Sequence, residues 1–303
     1  MNIQTTITAN DVLDKIEDRT MKDVPISNGI LRGIDYEEHG EGPTIVLVPG
    51  SCSTGAAWRP VVSELGSTFR CITTSLLGYG GTSERRTVET ADMAHEAEIV
   101  EEVVRRATGP IHLVGHSFGG TAALAVALRN RMPLLSLTVL EPPVPELLRH
   151  LGEHLHYGAF RDMTRGYFKA FDMGDERAIE AMIDFYGGVG TFGAWPERVR
   201  NYVVATTPVN LLDWACAYSF HVTRSCLSKV ELPTLVIKGG KSHPAMQHLN
   251  ELLGQCMPNA TVETIEGAAH FMISTHAPQV ARTVARHVRQ QECARSRGRD
   301  HHN

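Results

Sequence analysis

The chain predicts an α/β fold: a mostly parallel, doubly wound sheet with helices on both faces. Three observations carry this. Short apolar runs of strand length alternate with longer stretches of helical pattern over most of the chain, the rhythm of successive βαβ units. The clearest run, Thr44-Ile-Val-Leu-Val48, is almost continuously apolar, as suits a strand covered on both faces. The runs also end on turn signals: Pro49-Gly50, the cluster Gly78, Gly80 and Gly81, and Pro142-Pro143.

In order, residues 1–22 read as an N-terminal extension. Asn10 to Asp18 is a candidate helix there, with Val12, Leu13 and Ile16 on one face. Ile30–Glu37 reads as a strand, Thr44–Val48 as the next, and Trp58–Leu65 as a helix. Phe69–Ser75 is a strand. Thr90–Ala107 is a helix with Thr90 as N-cap and acidic residues early. Ile111–Val114 is a strand followed at once by the helix Phe118–Arg129, and Leu135–Leu140 is another strand. Residues 144–226 break the alternation with helix-like stretches, glycines 187, 188, 190 and 193, and the aromatics Trp195 and Trp214. The rhythm then resumes with Thr234–Ile237, Ala245–Cys256, Ala260–Ile265 and Pro278–Gln290. The core is therefore expected at 23–143 and 227–291, with a helical lid at 144–226 and a disordered, solvated tail at 292–303. In open α/β sheets ligands bind at the carboxyl ends of strands, and the insertion leaves one such end.

Composition narrows the function. The chain has 303 residues, a formal net charge of -5 and 42% hydrophobic residues. That argues for a soluble globular protein and against a nucleic-acid footprint, which needs a clustered basic surface. Six cysteines occur without a Cys-x-x-Cys pair, so free, mostly buried thiols are expected. Met1–Thr20 lacks the apolar centre of a signal peptide, and no apolar run approaches the roughly 20 residues of a membrane span. The expected location is cytoplasmic. No cofactor or metal is expected. No Gly-x-Gly-x-x-Gly opens a helix after the first strand, no His-Glu-x-x-His occurs, and Gly239-Gly-Lys-Ser242 lacks the first glycine of a phosphate loop.

The chemistry centres on Gly115-His-Ser117-Phe-Gly119, extended by Gly120. A strand precedes it and a helix follows, the setting in which Gly-x-Ser-x-Gly places a serine on a sharp, strained turn. The backbone N–H of Phe118 then lies at a helix start, where unpaired donors face an oxyanion. From about Val24 to Gln290 the chain resembles the α/β-hydrolase family, with that family's order of marks. Ser117 corresponds to the nucleophile. Val48-Pro-Gly-Ser51 resembles the oxyanion turn, which implies Ser51 N–H as the second donor; Pro49 replaces the usual histidine. His270, in Glu266-Gly-Ala-Ala-His270-Phe271, stands where the family keeps its base.

The acid departs from the pattern. The family most often places an aspartate in the turn after its seventh strand, where this chain has Ser242, and no acidic residue lies between Leu232 and Asn250. The resemblance then points to Glu141, directly after Leu135–Leu140, the family's sixth strand. A carboxylate ending an apolar strand is costly unless paired. Capping of the lid or an arginine pair is the competing role for Glu141. Glu266 and Asp213 are weaker candidates for the acid. The turn Leu77–Ser83 resembles another family turn whose usual aspartate is Ser75 here, and reads as structural. Cys52 reads as a small apolar filler.

The resemblance implies a serine hydrolase acting on a small carboxylic ester or lactone through an acyl-enzyme on Ser117. A carbon–carbon bond hydrolase or an acyltransferase on the same residues is the alternative. A ligand receptor that keeps a hydrolase pocket is the non-enzymatic one. The aromatics at 144–226 suggest an apolar small-molecule site, or simply that segment's own core. The substrate and the oligomeric state stay open.

Overall fold

The computed structural model describes residues 33–300. The extension at 1–22, with its expected helix over Asn10–Asp18, lies outside the described residues. Among the described residues the strands are β1 (Glu37–His39), β2 (Thr44–Val48), β3 (Arg70–Thr73), β4 (Ile111–His116), β5 (Leu134–Leu140), β6 (Thr234–Gly239) and β7 (Ala260–Ile265). They form one sheet in the order β1-β3-β2-β4-β5-β6-β7. Only β1 runs antiparallel to its neighbour.

The strands bury both faces, as their composition requires. Val46, Leu113 and Val139 point to one side, into the core beneath α2 (Met93–Ala107) and α3 (Phe118–Arg129). Ile45, Leu47 and Val114 point to the other, under α1 (Arg59–Leu65) and α13 (Ala277–Asp300). Each such buried aliphatic side chain contributes roughly 1.5–3 kcal/mol relative to exposure. Register places the functional ends together: Val48 pairs Gly115, His116 pairs Leu140, and Leu140 pairs Ile237. The residues after β2, β4, β5 and β6 therefore meet at one rim of the sheet.

Boundaries differ most from expectation at three places. Of the expected strand Ile30–Glu37, residues 30–32 lie outside the described residues; the first described strand is Glu37–His39, and Asp35 stays out of it because its N–H donates to Thr82 Oγ1 and its carbonyl accepts from Thr74 Oγ1. Helix α2 starts at Met93. Its N-cap is Asp92, which accepts from Ala94 N–H, while Thr90 Oγ1 instead accepts from Thr87 N–H. The last helix does not stop near Gln290. Alanine, arginine and glutamate there favour continuation, and Glu292 reaches back to buried His112 at 3.3 Å. The helix runs to Asp300, so the stretch from 292 to 300 is helical.

Between β5 and β6 lie α4 (Pro145–His150), α5 (His154–Asp172), α6 (Glu180–Gly187), α7 (Thr191–Ala194), α8 (Glu197–Ala205), α9 (Thr207–Ser219) and α10 (Arg224–Leu227). This helical insertion follows the fifth described strand. Phe160, Tyr167, Phe168 and Phe192 are buried within it. After β6 come α11 (Pro244–Cys256) and, beyond β7, α12 (Met272–Thr275). The six cysteines are free thiols. Among the described residues no helix is long and apolar enough to cross a membrane.

Candidate active site

Ser117 joins β4 to α3 in one residue, at φ 54° and ψ -130°. An L-residue at positive φ is strained, and the surroundings hold it there. Its N–H donates to Leu140 O at 2.8 Å, and its carbonyl accepts from Gly120 N–H at 2.7 Å. Two glycines make room for this turn. A Cβ on Gly50 would lie 2.8 Å from Ser117 Cβ, and one on Gly119 would collide with the carbonyls of Val48 and Pro49.

His270 comes from the loop between β7 and α12. Its Nε2 is 2.9 Å from Ser117 Oγ, and its Nδ1 is 2.7 Å from Glu141 Oε2. Glu141 is wholly buried at the end of β5. Its other oxygen, Oε1, accepts from Gly239 N–H at 2.7 Å, and its own N–H donates to Ile237 O. Glu141 is also at positive φ, 47°, so two of the three residues of this relay sit on strained backbone. Ser242 is buried nearby with its Oγ lacking a hydrogen-bond partner. Glu266 is exposed, and Asp213 is committed elsewhere, as described below.

The imidazole of His270 is gripped from several sides. His116 Nε2 donates to the His270 carbonyl at 2.8 Å. Burial, with His270 adding to it, pushes the His116 pKa down to about 3, so His116 is neutral and keeps its proton on the nitrogen facing that carbonyl. Tyr186, from α6, stacks on the His270 ring at 4.2 Å and 23°. Burial raises the Tyr186 phenol well above its ordinary value, and its hydroxyl has no partner.

A small pocket opens over Ser117. Its apolar wall is Pro143, Met182, Ile183, Tyr186, Trp214 and Phe271, and its polar wall is Ser51, Asn210 and Asp213. Phe118 and Ser51 both line it. Phe118 is the first residue of α3, where the backbone N–H has no partner within the helix. Cys52 is packed behind, its thiol pushed up to about 12 by burial, which leaves it inert.

Behind the polar wall stands a charge cluster that the sequence did not reveal. Asp213 accepts from Tyr79 OH at 2.6 Å and from Arg86 Nη1 at 2.9 Å. Burial raises its pKa, while Arg86 and the hydroxyls of Ser51 and Tyr79 pull it down. Arg86 is fully buried and also pairs with Glu84 at 2.7 Å and Glu96 at 2.8 Å. Burial raises Glu96 to about 8 against the pull of Arg86. The turn at Leu77–Ser83 thus reaches the pocket wall through Tyr79. Its missing aspartate is replaced by Asp35, which accepts from Ser75 Oγ and Gly81 N–H, each at 2.8 Å.

A parallel sheet crossed by a helical insertion, with a serine, a histidine and a carboxylate meeting at the ends of its strands, defines a hydrolase of the nucleophile-elbow kind. The sequence profile of the alpha/beta hydrolase family matches residues 45–283, and the chain belongs to that family. Two curated relatives resemble it over most of their own length. A pimeloyl-acyl-carrier-protein methyl ester esterase of Aeromonas hydrophila is 29% identical over 266 residues, covering 81% of this chain and 95% of that protein. A cis-3-alkyl-4-alkyloxetan-2-one decarboxylase of Xanthomonas campestris is 23% identical, covering 84% and 91%. Phytyl ester synthase 1 of Arabidopsis thaliana is 27% identical over 77% of this chain, which spans only 35% of that longer protein. An esterase of Thermogutta terrifontis shares the fold with a TM-score of 0.68 at 22% identity, covering 85% and 93%.

Proposed function

We propose that this hydrolase cleaves a small carboxylic ester or lactone through an acyl-enzyme on Ser117. The observation that carries the reading is the unbroken hydrogen-bonded relay from Glu141 through His270 to Ser117 at the floor of the pocket. Ser117 Oγ attacks the carbonyl carbon while His270 Nε2 takes its proton. The negative charge that develops on the carbonyl oxygen is met by the N–H groups of Phe118 and Ser51, each worth about 10²–10³ in rate. Glu141 holds the imidazole with its proton on Nδ1 and stabilises the imidazolium that forms. That imidazolium protonates the leaving alkoxide, and water, activated by the same histidine, then releases the acid.

Support comes from the esterase of Aeromonas hydrophila, which matches nearly end to end. The mainly apolar pocket suits an acyl chain of modest size. The helical insertion supplies Met182, Ile183, Tyr186 and Trp214 to the pocket, so it serves as a lid in this reading. Acyl transfer is the second reading, and the match to phytyl ester synthase 1 favours it; an alcohol acceptor would replace water in the second half-reaction. The test is p-nitrophenyl ester hydrolysis, acetyl to octanoyl, by the wild type and by Ser117→Ala. Turnover that vanishes in the variant is expected. Equal turnover in both would sink the acyl-enzyme, and faster acyl release on adding long-chain alcohols would identify a transferase.

A further inference from the structure

We infer that Glu153, His156 and His248 form a binding site for one divalent transition-metal ion of zinc-like chemistry, fastening the helical insertion to the core. The site is separate from the Ser117 relay. Glu153 is the N-cap of α5, and His156 stands in that helix's first turn. Residues three apart near a helix start lie on the same side. His248 belongs to α11, the core helix on which α5 packs. One ligand atom from each residue, two imidazole nitrogens and a carboxylate oxygen, lie within 4.8 Å of one another. Zinc bonds of about 2.1 Å in tetrahedral array hold their ligands about 3.4 Å apart, so modest side-chain rotations close the set. Glu153 Oε2 is already 3.0 Å from His248 Nε2.

A second observation points to an ion and not to a plain ion pair. His248 Nε2 is buried and has no hydrogen-bond partner. The carboxylate oxygen beside it is close enough, yet it lies off the direction in which the ring nitrogen bonds. An unpaired buried polar group costs about 1–3 kcal/mol. A cation on which the nitrogen lone pair and the carboxylate oxygen both converge removes that cost. The His156 ring lies 4.3 Å from the His248 ring at 35°, which brings a second imidazole to the same point. Two imidazoles and one carboxylate select zinc, nickel or copper over magnesium and calcium, which take oxygen ligands. Three protein ligands leave a fourth position to water. All three residues are half-buried, which leaves the ion a way in.

The position gives the site a consequence. Phe160 of α5 packs on Phe185 at 5.5 Å, and Phe185 stacks on His243, the N-cap of α11, at 4.0 Å. The neighbouring Tyr186 lies on the ring of His270. A bound ion braces the wall of the insertion that carries these aromatics.

The test is calorimetric titration of the chelator-treated full chain with zinc chloride, paired with thermal melting. Wild type is expected to take up one ion per chain and to melt at a higher temperature with zinc. Loss of even an outer-shell partner weakens metal sites about 10–100-fold, so losing a ligand in His248→Gln or Glu153→Gln should weaken binding by more than about 100-fold and abolish the melting shift. A variant with His301 and His302 both changed to alanine is expected to bind as wild type. No saturable uptake by wild type overturns the site. So does undiminished uptake in both His248→Gln and Glu153→Gln, or loss confined to the His301/His302 variant. Should His248→Gln fail to fold by circular dichroism, Glu153→Gln, a near-isosteric change at a half-buried helix N-cap, carries the test.

Discussion

Replacing Glu141 by glutamine keeps the shape of the side chain and removes one acceptor. The carboxylate takes two short hydrogen bonds, from His270 Nδ1–H and from Gly239 N–H, both 2.7 Å. An amide has one oxygen, so only one donor keeps its acceptor. If the oxygen stays on Gly239, the amide NH₂ faces Nδ1 of His270. The ring must then accept on Nδ1 and carry its proton on Nε2, pointed at Ser117 Oγ, and in that tautomer it cannot take the serine proton. If the amide turns over, two buried donors meet at Gly239, at a cost of about 1–3 kcal/mol. The first arrangement therefore prevails. The equivalent acid-to-amide change in serine proteases lowers kcat about 10⁴-fold with geometry intact, about 5.4 kcal/mol of barrier. The expected result for Glu141→Gln is a kcat on a p-nitrophenyl ester reduced by about 10³–10⁴, with KM and melting temperature little changed. A folded variant within tenfold of wild type refutes the assignment of the acid.

Three further outcomes are expected. Ser242→Asp adds a carboxylate in a buried place beside the Glu141–Gly239 contact, so it should lower stability and leave kcat unraised; a large gain in kcat would show that Glu141 serves poorly. His116 is held neutral with its pKa near 3 in the fold, against 6.5 as its ordinary value. Below pH 6.5 the unfolded chain gains a proton that the fold excludes. Stability should therefore fall as pH drops through that window, by up to about 1.4 kcal/mol per pH unit. His116→Asn should flatten this acid limb in urea titrations, and an unchanged limb would show that His116 is not its source. Arg86→Met leaves Glu84, Glu96 and Asp213 without their shared cation and should destabilise by about 3–5 kcal/mol in urea unfolding; a loss under about 1 kcal/mol would show that the acids protonate at little cost.

What was legible in the chain follows from distance along it. Apolar strands and their glycine-marked ends are local signals, and Ser117, His270, Glu141 and Ser51 all lie at strand ends, so topology alone brings them together. Glu141 could be singled out because the family resemblance points to that strand end and because a carboxylate there is costly unless paired. The Arg86 cluster was not legible. Arg86, Glu96 and Asp213 look like surface charges in their own segments, and only the fold turns them inward onto one another. Asp35 escaped for a related reason: its strand was expected to pair, whereas its backbone and carboxylate serve the turn after β3. The N-cap moved from Thr90 to Asp92 because two plausible caps stand two residues apart. The final helix outran its apolar pattern because its last turns hold by polar pairs that periodicity does not register.

The site of Glu141 has a mechanical side. The carboxylate ends β5 one residue before Pro142-Pro143, and the insertion begins immediately beyond. Its backbone is anchored to β6 through Ile237, while Thr121 of α3 donates to the Pro143 carbonyl. The two prolines fix their own φ and resist bending. Movement of the helices beyond residue 144 is therefore stopped at a stiff joint before it reaches the acid. The acid end of the relay is thus held by the sheet, whereas its His270 end also leans on Tyr186 of the insertion, so a change in residues 144–226 reaches the relay through that ring and not through Glu141.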